Sequence, residues 1–250
     1  MKKALLVIIG MMILTPIVIP QTLPSINISI DDKSDEKGKL SSSLKIVLLF
    51  TVITLLPSIL MLMTAFTRLI ISFHFLRQAM GVQGVPPNQV LIGIALFLTI
   101  FIMSPVGMKI NKMAIQPYNA GKITEMEALK LSSGPIKEFM LKQTRQKDLA
   151  LFYKLSKLDR PKNKKDVSLV VLIPAFIISE LKTAFQIGFL LYIPFLIVDM
   201  VVASILVSLG MIFLPPIMVS LPFKLVLFIL ADGWFLLVGS LLKSFNLGGL

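Results

Sequence analysis

Residues 168–242 carry five charged side chains in 75 positions: Glu180, Lys182, Asp199, Lys224 and Asp232. A charge at the centre of a bilayer costs roughly 2.5–3.5 kcal/mol on insertion scales, so it is retained where it is paired, faces a cavity or performs a function. Both signs occur, which predicts ion pairs between packed helices. Glu180 and Lys182 are two residues apart and cannot face each other on one helix. Glu180 shares a face with Ala184 and Ile187, and Lys182 with Gln186, so each needs a partner elsewhere. Asp199 lies between Leu196-Ile197-Val198 and Met200-Val201-Val202, where a short side chain cannot snorkel to water. Lys224 follows Pro222, and a cation near a helix start opposes the helix dipole, which calls for an acidic neighbour such as Asp199 or Glu180 of an adjacent chain. Snorkelling at interfacial depth is the alternative for Lys182 and Lys224. Proton relay is the alternative for Asp199.

The same inventory argues against an enzyme. The chain has no Cys and one His, His74, which removes thiol chemistry, disulfides and histidine metal clusters. No phosphate-binding loop, nucleophile elbow or zinc-binding helix signature is present. No cofactor is expected.

The elements that position these charges are apolar helices. Hydrophobic residues make up 56% of the 250, above the ordinary soluble range, and mean hydropathy is +0.88. Residues 1–21 have a charged start and an apolar run like a secretory signal, with the cleavage position open and an uncleaved first helix as the alternative. Residues 22–43 read as a flexible linker, containing the charged run DDKSDEKGKLSSS. Residues 44–106 predict a first hydrophobic helical pair: 46–67, kinked at Pro57, and 90–108, joined by a connector over 73–88. Residues 107–167 hold 14 Lys plus Arg against 6 Asp plus Glu, hence 14 − 6 = +8 of the net +12. They predict a basic helical domain with one break at Ser132-Ser133-Gly134-Pro135 and a helix over 136–158. With few aromatics and no binding motif there, nucleic acid is not the expected partner. A membrane surface or an acidic protein suits this charge. Residues 168–250 form a second hydrophobic hairpin region, broken at Pro174, Pro194, Pro215-Pro216 and Pro222.

Topology follows from the signal. If it exports the start of the mature chain, two spans return the chain outside and leave 107–167 extracytoplasmic, with the loop bearing Arg68 and Arg77 cytoplasmic. The run Gly210, Met211, Ile212, Phe213, Leu214, Pro215 and Pro216 combines a glycine, bulky apolar side chains and two prolines. That is a rigidly anchored apolar loop able to plug a pore.

PAFIISELKTAFQIGF at 174–189 and PFLIVDMV at 194–201 resemble the two hallmark stretches of the flagellar biosynthetic protein FliP family. PPNQVL at 86–91, LFLT at 96–99, MSP at 103–105, LPFK at 221–224 and DGW at 232–234 support the resemblance, which runs from about residue 44 to the C-terminus. It implies the core, channel-forming subunit of the flagellar type III protein export gate in the bacterial inner membrane. Such a subunit is all-α, with integral membrane-type helical hairpins and kinked helices. It assembles as a pentamer with FliQ and FliR in a helical cone, much of it held above the bilayer.

FlhA and FlhB, rod or basal-body proteins and unfolded export substrates are the implied further partners. Glu180, Lys182, Asp199 and Lys224 are the implied inter-subunit charges, and 210–216 the pore gasket. The gasket departs from the family pattern: Met211 is its single methionine, with stiffer Ile212 and Phe213 where further Met is typical. Two other readings remain beside this one. A small secondary transporter would use Asp199 for protons, and a structural membrane scaffold would line no conduit.

Overall fold

A computed structural model describes residues 42–156, 161, 163, 166–211 and 213–245. The expected signal, most of the linker and Ile212 lie outside the described residues. The chain divides into two compact units, Met1–Val52 and Ile53–Leu250. Every regular element among the described residues is helical: α1 (Ser42–Leu62), α2 (Phe66–Met80), α3 (Asn88–Ile110), α4 (Glu125–Gln143), α5 (Gln146–Ser156), α6 (Leu169–Ser208), α7 (Pro216–Leu230) and α8 (Gly233–Ser244). Helix α3 runs on through a π-helical turn, Asn111–Ile115, into a short helical segment, Gln116–Asn119.

The core is built by α2 lying along α6. Ala65, Leu69, Phe73, Leu76 and Met80 recur three or four residues apart and are all buried, as are Leu172, Ala175, Phe176 and Ala184 of α6. The expected connector over 73–88 is therefore helical to Met80, and the loop is confined to 81–87. Gly81 ends α2 in the left-handed conformation, its N–H bonded to the Gln78 carbonyl, a role for which a missing Cβ is suited.

One contact sets how closely α2 and α6 approach. The Phe75 ring sits over Gly188, between Phe185 and Tyr192, with ring centroids 5.1 Å and 6.4 Å away. These three α6 residues share a face by their spacing of three and four. A Cβ on Gly188 would lie 2.4 Å from the Phe75 ring, so the notch exists only because residue 188 has no side chain.

The basic segment differs in its breaks. No break occurs at Pro135, because α4 passes through it. Pro135 donates no hydrogen bond, which leaves the Leu131 carbonyl without its helical partner, while the hydroxyls of Ser132 and Ser133 bond back to the carbonyls of Ala128 and Lys130. The break falls instead at Thr144 and Arg145, between α4 and α5. A capping box starts α4: Thr124 Oγ1 accepts from the Glu127 N–H at 3.3 Å, and Glu127 accepts from the Thr124 N–H at 2.9 Å. The Thr124 N–H and hydroxyl, both donating to the carboxylate, hold the Glu127 carboxyl below its ordinary pKa.

The prolines of the last region also break less than expected. Helix α6 continues through Pro174 and Pro194, and α7 through Pro222; only Pro215-Pro216 marks a boundary. Two helices, Asn88–Asn119 and Leu169–Ser208, are long and apolar enough to cross a membrane, or up to three if α7 and α8, bent by 64°, form one span. That bend uses Asp232 in the left-handed region (φ 50°), which Asp tolerates better than most residues. At 40 residues and about 1.5 Å per residue, α6 is about 60 Å long, twice a hydrocarbon core of about 30 Å.

The Phe75 notch gives a direct test. Gly188→Ala is expected to lower unfolding stability by roughly 1–3 kcal/mol through overpacking. Pairing it with Phe75→Leu should restore most of the loss in detergent-solubilised protein followed by thermal melting. An unchanged melting temperature in Gly188→Ala would refute the notch.

Candidate functional site

Of the five charges in residues 168–242, three fall into two clusters, while Lys182 and Asp232 are exposed. Arg68 enters from α2 and Glu180 from α6, 1% and 0% exposed respectively. Arg68 Nε donates to Glu180 Oε2 at 2.9 Å, and Nη2 donates to Oε1, a bidentate pairing. Arg68 Nη1 donates to the Ser244 carbonyl and hydroxyl, each at 2.9 Å, and Nη2 also donates to Gln143 Oε1 at 3.1 Å. All five guanidinium donors are thereby satisfied. The Phe245 ring lies 3.8 Å from the guanidinium carbon, and Gln143 donates to the Phe245 carbonyl at 3.0 Å. One side chain ties α2, α4, α6 and the end of α8 together.

The second cluster joins α6, α7 and the end of α2. Lys224 Nζ donates to Asp199 Oδ2 at 2.7 Å and to the Ala79 carbonyl at 3.4 Å; Ser220 Oγ donates to Asp199 Oδ1. Lys224 is buried, whereas Asp199 is partly exposed. Lys224 is the ninth residue of α7, not near its start. Its ammonium reaches the C-terminal turn of α2, where the helix dipole favours a cation. The expected conflict with a dipole is thus a favourable contact with a different one. Glu180, Asp199 and Lys224 all find opposite charges within their own chain.

Lys182 differs. It is exposed and has no carboxylate within ion-pair distance among the described residues. Beside it, Ser179 is buried and donates to Asp148 Oδ2 at 2.6 Å while accepting from the Arg145 N–H at 3.1 Å. Burial raises the Asp148 pKa, but the hydrogen bonds from Ser179 and Arg145 and the charges of Arg145 and Lys147 outweigh it, leaving the carboxyl below its ordinary value. This link is therefore strongest above the ordinary carboxylate range and is lost as pH falls through the lowered value. Ser179 thus fastens the start of α5 to α6, and its neighbour Glu180 reaches α4 through Arg68, which also bonds Gln143.

The third feature is the hairpin tip between α6 and α7. Gly210 (φ 75°) donates to the Val207 carbonyl at 3.0 Å and Met211 donates to the Leu206 carbonyl at 2.9 Å, the two bonds of a Schellman motif. Pro216 opens α7, where a missing N–H costs nothing. Between these anchors Phe213 is 99% exposed, and Met211 and Leu214 are about half exposed. Met218, one turn into α7, is 74% exposed and adds a flexible side chain to the tip. It sits outside the expected 210–216 stretch, and its position after Pro216 was the available signal. Arg68 was also not among the expected site residues. Its signal was the apolar spacing of Ala65, Leu69, Phe73 and Leu76, which continues past it.

The tip, the two ion pairs and the notch at Gly188 all fall in residues 65–224. The sequence pattern of the FliP family matches residues 49–241. This chain belongs to the FliP family. It is 57% identical over 212 residues to the flagellar biosynthetic protein FliP of Bacillus subtilis (strain 168), covering 85% of this chain and 96% of that protein. It is 47% identical over 248 residues to the protein of the same name in Aquifex aeolicus (strain VF5), covering 98% of this chain and all of that one. The Treponema pallidum (strain Nichols) FliP is 48% identical over 225 residues, 89% of this chain and 83% of that protein.

Removing one partner of a buried pair leaves an uncompensated charge at a cost of about 3–5 kcal/mol. Glu180→Gln is expected to lose stability of that order, and the double variant Arg68→Met with Glu180→Leu to recover most of it. Lys224→Met should cost less, roughly 1–3 kcal/mol, because the remaining Asp199 is partly solvated. Denaturant unfolding in detergent would check all three, and a Glu180→Gln protein as stable as the parent would exclude a structural role for the pair.

Proposed function

We propose that this chain is a channel-forming core subunit of the flagellar type III protein export gate, conducting unfolded substrates across the bacterial inner membrane. The observation that carries this reading is the α6–α7 tip. A turn locked by backbone hydrogen bonds holds Phe213 99% exposed, with Met211, Leu214 and Met218 beside it. Bulky apolar side chains fixed on a rigid turn and largely exposed among the described residues are suited to meeting their counterparts from sister subunits and closing a pore by excluding water.

Two further features support it. An α6 of about 60 Å exceeds a bilayer, which fits helices held partly above the membrane by neighbours. Broad apolar exposure on α6 and α7, including Phe185, Phe189, Ile197, Val201 and Phe223, needs covering by lipid or protein. In this reading the chain forms a homo-oligomer, a pentamer, with FliQ and FliR and works beside FlhA, FlhB and the rod. Residues 107–167 lie on the extracytoplasmic side. Glu180, Asp199 and Lys224 shape the subunit so that its faces match its neighbours, and exposed Lys182 is available for direct contact with one.

Deleting residues 211–214 should leave complex formation intact while raising ion conductance through membranes that carry the assembled gate. Phe213→Asp should act in the same direction to a smaller extent. Conductance indistinguishable from the parent in both variants would count against the tip as a seal.

A further inference from the structure

Where α2 hands over to α3, a cavity of about 660 Å³ is lined by His74, Arg77, Gln78, Asn88 and Gln89 among others. Arg77 is its cation. Its Nη1 donates to Asn88 Oδ1 at 2.7 Å and to the Pro86 carbonyl at 3.3 Å, and Nη2 lies 3.2 Å from a ring nitrogen of His74. No carboxylate pairs with Arg77 among the described residues. The amide and carbonyl oxygens hold the guanidinium in place without cancelling its charge, so it can still attract an anion. Asn88 and Gln89 begin α3, whose N-terminal dipole adds to the attraction for an anion.

A second cavity of about 250 Å³ adjoins the first, sharing His74 and Gln78. Its remaining walls, Ile70, Ile71 and Phe75, are apolar. A positively charged hollow thus continues into a hydrocarbon-lined groove along one face of α2. A ligand that fills both has an anionic head and an apolar tail.

We propose that the Arg77 cavity binds the phosphate of an anionic phospholipid, with an acyl chain lying along the Ile70–Ile71–Phe75 groove. The charge selects the head: Arg offers a planar set of donors matched to phosphate oxygens, and the two polar side chains at the start of α3 complete the lining. The position suits the tail, because α3 opens a 32-residue helix apolar enough to cross a membrane. With α3 in a membrane, acyl chains would lie within reach of the groove.

The test is native mass spectrometry of the full chain released from detergent micelles containing phosphatidylglycerol, phosphatidylcholine or inorganic phosphate. Phosphatidylglycerol is expected to survive release at least tenfold better than phosphatidylcholine. Arg77→Gln should abolish that preference, and Arg77→Lys should keep part of it. Ile71→Gln should weaken retention of phosphatidylglycerol but leave inorganic phosphate unaffected. Helical content measured by circular dichroism separates these effects from misfolding, and only variants with parental helicity are scored. Equal retention of the two lipids, retention unchanged in Arg77→Gln, or binding of inorganic phosphate with no gain for the lipid would each overturn the assignment.

Discussion

A guanidinium with no water around it organises this fold. Arg68 is buried, and desolvating a cation costs several kcal/mol unless geometry and hydrogen bonds return it. Five donors find five acceptors only if α4 brings Gln143, α6 brings Glu180 and the end of α8 brings Ser244 to one point. The requirement acts as a specification. An arrangement of these apolar helices that missed the point would strand a charge, whereas their hydrophobic faces alone would accept many arrangements. The Asp199–Lys224 pair repeats this logic at the other end of α2, tying α7 to the Ala79 carbonyl.

Close packing and polar fastening divide the work along α6. At Ser179 the helix bonds the basic segment, at Glu180 it bonds Arg68 of α2, and at Gly188 it accepts α2 through an absent side chain. Both devices sit within one stretch of ten residues. The basic segment, too short to build a deep core of its own, thus borrows rigidity from the longest helix in the chain.

Much of this was legible in the residues. The helical class, the long apolar segments, the need of Glu180 and Asp199 for cations and the apolar tip all follow from composition and spacing. The partners of those acids did not. Arg68 lies 112 positions before Glu180, and Lys224 25 after Asp199, separations that periodicity cannot bridge. Proline misled in a consistent direction. Pro135, Pro174, Pro194 and Pro222 look like punctuation, yet each lies inside a helix. A helix of sufficient length and packing absorbs one missing hydrogen bond. The true break after Gln143 carries no proline; Arg145 turns there because its N–H is claimed by Ser179.

The Schellman turn at Gly210 has a consequence for how this family can vary. The hydrogen bonds that shape the turn come from main-chain atoms, and the positive φ falls on glycine. The turn itself therefore does not depend on which side chains stand at 211, 213 and 214. A lineage can exchange methionine for phenylalanine or leucine there and alter the stiffness of the tip without refolding the subunit. Mechanical compliance at the tip and thermodynamic stability of the body become separately adjustable traits, inherited through different residues.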